Sequence, residues 1–362
     1  MRVALREQFQ IPPAGAPGGH AQCRGGTRGP RYRGFIAGAQ GRGAGRQGQV
    51  RPRCAASCIV SHWREQRDRG GLFWLSALSW CARVFGRRFL RVLCVPIAGF
   101  FLLTAAQPRR ASREYLRRVL PYSPTLGNVF RHFYTFALVS ADRLLLLAGK
   151  SQALDLRMSG EACVRELAAR GEGCLLLVSH VGSFDAMRLP AVEDESIPVR
   201  ILLDRAHNPH AMAVIEKLNP RLAAGVIDAG MDATRLVLQV REALDRGEMV
   251  GIMGDRAAAG EALFHTDFLA SPAGFPRAPW LMALVLRAPV VLCWAVYSGA
   301  NRYNVTFRRV YDGHPVRRRE RQAVVQACIR SYAAEMETVL RGNPYNWFNF
   351  YDFWLHESPG DN

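Results

Sequence analysis

From Ser159 onward, strand-length apolar runs alternate with helical stretches, and few folds accept that rhythm. The run at 174–179 (CLLLVS) and the run at 249–253 (MVGIM) are short and almost wholly apolar, which suits strands buried on both faces. Residues 198–204 (PVRILLD) and 225–228 read as two further strands. Helices fall between them, at about 183 onward, at 209–218 and at 232–246. The last has apolar Leu236, Val240 and Leu244 at helical spacing and Gly247 as its stop. A long loop is expected over 257–276 and a helix at about 279–286. A hairpin follows, 289–297 with 303–311 across Ser298–Asn301, and then a last helix at 322–341. The pattern predicts an α/β fold, a mixed, largely parallel sheet flanked by helices on both faces. Ligands in such folds collect at the carboxyl ends of the strands, where His180, Asp204-Arg205 and Asp255-Arg256 all fall.

His180 ends the first of these strands, and Asp185 follows five residues later. On a regular helix, positions five apart stand roughly 140° out of line, so the two side chains would not share a face. They can meet if the chain turns at Gly182 and Asp185 opens the next helix. Asp185 would then accept from one imidazole nitrogen and orient the ring, leaving the other to take a proton from a substrate hydroxyl that attacks an acyl carbonyl. Amides at the start of the helix would serve the oxyanion. The blander reading is a loop histidine and a helix-start carboxylate. No metal site is expected, because His207 and His210 lie in another loop. Ser183 lacks a GxSxG setting for a nucleophile.

The formal net charge is +18, nearly all of it arginine, with Lys150 and Lys217 the only lysines. Such a chain is drawn to nucleic acid, anionic membranes or acidic partners. No zinc or helix-turn-helix pattern points to nucleic acid. The nine cysteines are scattered without a CxxC pair, which suits a reduced, cytosol-facing protein. Residues 1–58 are rich in Gly, Arg and Pro with Glu7 the only acid, and read as a disordered or extraneous basic tail. Residues 72–106 are apolar but broken by Arg83, Arg87, Arg88 and Arg91. The uninterrupted part, 92–106, is about 15 residues, short of the roughly 18–20 needed to span a bilayer. The two apolar pieces fit a hairpin or oblique pair in the cytoplasmic leaflet, with Trp74 and Trp80 at the interface. A buried core pair and a single span are the competing readings. Residues 108–118 and 128–147 read as two more helices, the second carrying Asp142 and Arg143.

Several stretches together resemble one family. His180-x4-Asp185 resembles the HX4D motif of the lysophospholipid acyltransferase superfamily. SHWREQRDRG, RHFYTFALVSADRLLLLAG, GEGCLLLVSHVGSFD and FLASPAGFPRAPWLMALVLRAPVV, in that order, resemble its bacterial lipid A biosynthesis branch. NPYNWFNFYDFW resembles an aromatic ending of some members. The likeness covers about residues 61–355 and departs at Ala270 and Ala278, where the family has glycine. It implies acyl transfer from acyl carrier protein or acyl-CoA to a hydroxyl of a lipid A-like glycolipid, at the cytoplasmic face of the inner membrane, without metal or organic cofactor. His180 would be the base and Asp185 its partner. Arg205, Asp255 and Arg256 would face the acceptor, and Phe275 and Pro276 would shape an acyl groove. A different acceptor, such as an aryl-polyene-type lipid, or a non-catalytic lipid-binding protein on the same fold, stays open. The Arg317–Arg319 run reads as a solvated or membrane-facing patch, with docking of an acidic carrier protein as the alternative. The expected division is 1–58 tail, 59–110 membrane-associated helical segment, 111–355 acyltransferase domain and 356–362 tail.

Overall fold

The structure is a computed structural model that describes residues 72–354, apart from 148, 150–153, 194–197, 207 and 258–260. The tail 1–58, the first part of the 59–110 segment and the tail 356–362 lie outside the described residues, as do the side chains of Trp74, Trp80 and His210.

Seven strands form the main sheet in the order β1-β9-β8-β2-β5-β3-β4, where β1 is Asp155–Ser159, β2 Cys174–Val178, β3 Val199–Leu203, β4 Val226–Asp228, β5 Met249–Met253, β8 Pro289–Gly299 and β9 Arg302–Asp312. Only β8 and β9 run antiparallel; every other neighbouring pair is parallel. The sheet is thus mixed and largely parallel, with helices on both faces. Every residue of β2 is buried. Its side chains alternate between two cores, as strand geometry requires. Leu175 and Leu177 join one core with Val240, Ala283 and Ile329; Cys174, Leu176 and Val178 join the other with Leu167, Met187 and Val305.

Two elements depart from the expectations. The stretch read as a long loop contains a hairpin, β6 (Leu263–Phe268) with β7 (Ser271–Pro276). Its two-residue tip is Leu269 and Ala270, both at positive φ (51° and 60°), a conformation that asparagine and glycine normally supply. Without those residues the turn does not announce itself. Strand β1 was also not expected. Its pattern DLRMS is only half-buried at the sheet edge, beside β9.

The N-terminal helices differ too. In place of a hairpin, α1 is one helix, Leu72–Thr104, running through its arginines and Pro96. Arg87 faces inward, donating from Nε and Nη2 to the buried Asp142 at 2.7 and 2.6 Å, while Tyr303 donates to the same carboxylate. Below it Leu90, Cys94 and Ala98 are buried, the first two against Leu138, Ala141 and Leu145 of α3 (Leu126–Leu147). After a 98° bend the chain continues as α2, Ala106–Val119. No single helix among the described residues is long and apolar enough to cross a membrane.

The remaining helices are α4 (Ala162–Ala169), α5 (Phe184–Glu193), α6 (Pro209–Leu218), α7 (Pro220–Ala224), α8 (Ala233–Asp245), α9 (Ala278–Leu286) and α10 (Arg321–Gly342).

Candidate active site

In the sheet, β2, β5 and β3 are adjacent and parallel, so the residues after their carboxyl ends sit side by side. His180 follows β2, Asp255 and Arg256 follow β5, and Arg205 follows β3.

The turn carrying His180 is held from two sides. Gly182 N–H donates to Asn346 O (2.8 Å), Ser183 N–H to Ala295 O (2.9 Å), and Phe348 N–H to His180 O (2.9 Å). The C-terminal segment Asn346–Phe348 therefore lies along the turn, and Trp347 forms an antiparallel bridge with Val181. Gly182 has φ +67°, and a Cβ there would lie 1.7 Å from Ala295 O. The chain can bend here only as glycine, which meets the expected turn. Ser183 is buried, and its Oγ accepts from Ala186 N–H at 3.2 Å. It is occupied as a helix-start hydroxyl.

His180 is fixed by Asp255. Its Nδ1 lies 3.0 and 3.2 Å from the two carboxylate oxygens, and its backbone N–H donates to Oδ2 at 3.0 Å. Trp347 Nε1–H donates to the same oxygen at 3.0 Å. A carboxylate only accepts, so Nδ1 carries the ring proton and Nε2 keeps its lone pair. Asp255 has no exposed surface, while the His180 side chain remains 28% exposed. Burial works against the Asp255 carboxylate. The charge and hydrogen bond of His180, the charge of Arg256 and the Trp347 donor outweigh it and hold the group at about 2. Burial, and then the Arg256 charge, push His180 below the ordinary imidazole value despite the pull of Asp255. The ring is therefore neutral at neutral pH, oriented, with one nitrogen free and a buried anion ready to stabilise the imidazolium.

His180 does not pair with Asp185, contrary to expectation. Asp185 opens α5, and its buried carboxylate faces two guanidinium groups, Arg143 Nε at 2.9 Å and Arg188 Nη2 at 3.7 Å. No hydrogen bond joins it to His180. Two cations draw the carboxylate to their side, and Asp255 already occupies Nδ1. Asp142 pairs with Arg87, and Arg143 with Asp185.

Arg256 donates from Nη2 to Phe348 O at 2.9 Å and lies over the ring of Tyr351, clamping the C-terminal segment to the site. Arg205 is exposed, two strands away from β2, and its guanidinium donates to Ala223 O and Val226 O. Phe275 and Pro276 follow in the hairpin strand β7. Both are buried, and the ring of Phe275 packs edge-on against Phe268, Tyr332 and Phe353. Among the described residues, no three His, Cys, Asp or Glu side chains come together as a metal site.

Trp347 and Asn346 entered the sequence reading only as part of an aromatic ending. Trp347 is fully buried, and Asn346 clasps the backbone of Tyr297 through both atoms of its amide. Behind them His132 bridges Ser112 Oγ and Trp347 O at 2.9 and 2.8 Å.

This geometry suits proton removal from a hydroxyl. A family model described as bacterial lipid A biosynthesis acyltransferase matches residues 63–357. The chain belongs to that family. A comparison with curated protein sequences returned no match. The match spans the sheet, His180 and the C-terminal segment that lies along its turn, so the family's acyltransferase activity and the site geometry fall in one continuous region.

Proposed function

We propose that the acyltransferase moves a fatty acyl chain from a thioester of acyl carrier protein, or from acyl-CoA, to a hydroxyl of a lipid A-like membrane glycolipid at the cytoplasmic face of the inner membrane. The observation that carries this reading is a partly exposed His180 whose Nδ1 is held by the buried Asp255 carboxylate. In this mechanism Nε2 removes the proton of the acceptor hydroxyl as its oxygen bonds to the thioester carbonyl carbon. The tetrahedral adduct then expels the thiolate as the carbon–sulfur bond breaks, and the imidazolium returns the proton to sulfur.

Gly182 and Ser183 already spend their amides on Asn346 O and Ala295 O. The oxyanion therefore falls to the first turn of α5, at Phe184 and Asp185, where a helix leaves its own N–H groups without intrahelical partners. Asp185 serves this reaction at one remove, by holding Arg143 and Arg188 beside the site. Under α5, an apolar cavity lined by Leu176, Phe184, Met187 and Phe307 offers room for hydrocarbon that the buried Phe275 does not. Membrane attachment is assigned to the outer face of α1, where Val92, Val95, Phe100 and Leu103 are exposed.

Transfer of label from radiolabelled acyl carrier protein to a lipid A precursor tests the reading. Wild type should transfer, and His180→Ala should transfer about 10²–10⁴-fold more slowly. Full activity in His180→Ala would sink the mechanism.

A further inference from the structure

Helix α2 has two faces of opposite character. Inward, Ser112, Tyr115, Leu116 and Val119 are buried. Outward, Arg110, Arg113 and Arg117 are exposed, at spacings of three and four that place them on one stripe. No ion pair engages any of the three among the described residues; the neighbouring Glu114 pairs with Arg118, which also lies over Trp354. The stripe lines an open groove with the hairpin tip at Leu269 and Ala270. Exposed apolar side chains stand on either side of it along the chain, Phe100 and Leu103 before and Tyr122 and Leu126 after. The bend that joins the two helices is tied down, because Arg109 Nη1 donates to Leu102 O and Leu103 O at 2.5 and 3.2 Å.

We infer that the α2 stripe is a docking surface for anionic phospholipid headgroups of a bilayer, with Arg110, Arg113 and Arg117 meeting the phosphates while the flanking apolar residues enter the interface. Charge complementarity supplies the cationic half of the argument. The exposed Phe100, Leu103, Tyr122 and Leu126 supply the other half, since an acidic soluble protein offers them no apolar phase. The consequence for catalysis is positional. The inner face of α2 packs Tyr115 edge-on against Trp347, the donor to Asp255. The headgroup layer would then lie about one helix diameter, roughly 10 Å, from the wall of the active site, where a glycolipid hydroxyl is presented. The inference rests on the membrane reading above and adds a lipid charge class to it.

Sedimentation of the full chain with vesicles tests it, using phosphatidylcholine alone or mixed with phosphatidylglycerol. Wild type should bind the mixed vesicles on the order of a hundredfold more tightly, and added salt should weaken that preference. The triple variant R110Q/R113Q/R117Q should lose the preference but keep the weak binding to phosphatidylcholine that α1 provides. Its acyl transfer in nonionic detergent should stay at the wild-type rate. An unchanged preference in the variant would overturn the proposal. So would a raised KM for acyl carrier protein in detergent, which would assign the stripe to the carrier. Absence of wild-type binding to either vesicle would instead refute the membrane reading itself.

Discussion

Asp255→Asn separates the observed site from the expected one. The carboxylate accepts from the His180 backbone, from His180 Nδ1 and from Trp347 Nε1. Asparagine keeps the volume but has one acceptor oxygen and an NH2 group. Two fixed donors, the His180 backbone N–H and Trp347 Nε1–H, already converge on Oδ2, so the asparagine oxygen goes there and the NH2 faces Nδ1. The ring must then accept at Nδ1 and carry its proton on Nε2, where it can no longer act as a base. A histidine held in the wrong tautomer costs about 10⁴ in kcat, close to 5 kcal/mol of barrier. The assay is kcat for acyl transfer across pH, with the ring tautomer read by nitrogen NMR. Asp185→Asn supplies the control, because it leaves Nδ1 bonded to Asp255 and acts through Arg143 and Arg188. Its kcat should fall by much less, with the acid limb of the pH profile unmoved. A loss within tenfold in Asp255→Asn, beside a 10⁴ loss in Asp185→Asn, would instead make Asp185 the partner of His180.

Three further outcomes follow from the packing around the site and the hairpin tip. Trp347→Phe removes one donor from a buried carboxylate, so urea denaturation should show a loss of about 1.5–3 kcal/mol and the Asp255 pKa should rise. Ala270→Gly should stabilise the fold by about 1 kcal/mol in the same assay, since Ala270 sits at φ 60° where glycine is unstrained. His132 is lowered to about 4 by burial, against the hydrogen bond to Trp347 O. Its unfolded value is about 6.5, so the unfolded chain binds the extra proton first and stability should fall with pH between about 6.5 and 4, by up to about 3 kcal/mol. Denaturation at pH 7.5 and pH 5 in wild type and His132→Gln measures that difference, which should shrink in the variant.

Periodicity revealed the parallel core because burial writes itself into residue type. CLLLV and MVGIM are apolar throughout because each strand faces a core on both sides. It failed where structure rests on pairing or strain. Arg87 reads as an interruption of an apolar run, yet it pairs with Asp142, 55 residues away, and the helix passes straight through. The Leu269-Ala270 tip adopts a left-handed turn that its residue types disfavour, so the hairpin was invisible. The site shows the same division. His180 and the bend at Gly182 were legible as a strand end followed by glycine. Its true partner lies 75 residues on, and only the adjacency of β2 and β5 brings Asp255 to it. The signal available was GDR at the end of a second buried strand, which marked a place at the site; the resemblance set Asp255 facing the acceptor, whereas it is buried against His180 and Trp347. Trp347 carried no signal, since one buried tryptophan among many aromatics looks like packing until its N–H is traced.

As general base, His180 should govern the chemical step of acyl transfer and not donor binding. The most direct measurement is single-turnover transfer from labelled acyl carrier protein to a lipid A precursor by the purified chain, with His180→Ala beside it. His180→Ala should bind the donor normally and transfer about 10²–10⁴-fold more slowly. Transfer at the wild-type rate by His180→Ala would contradict that role.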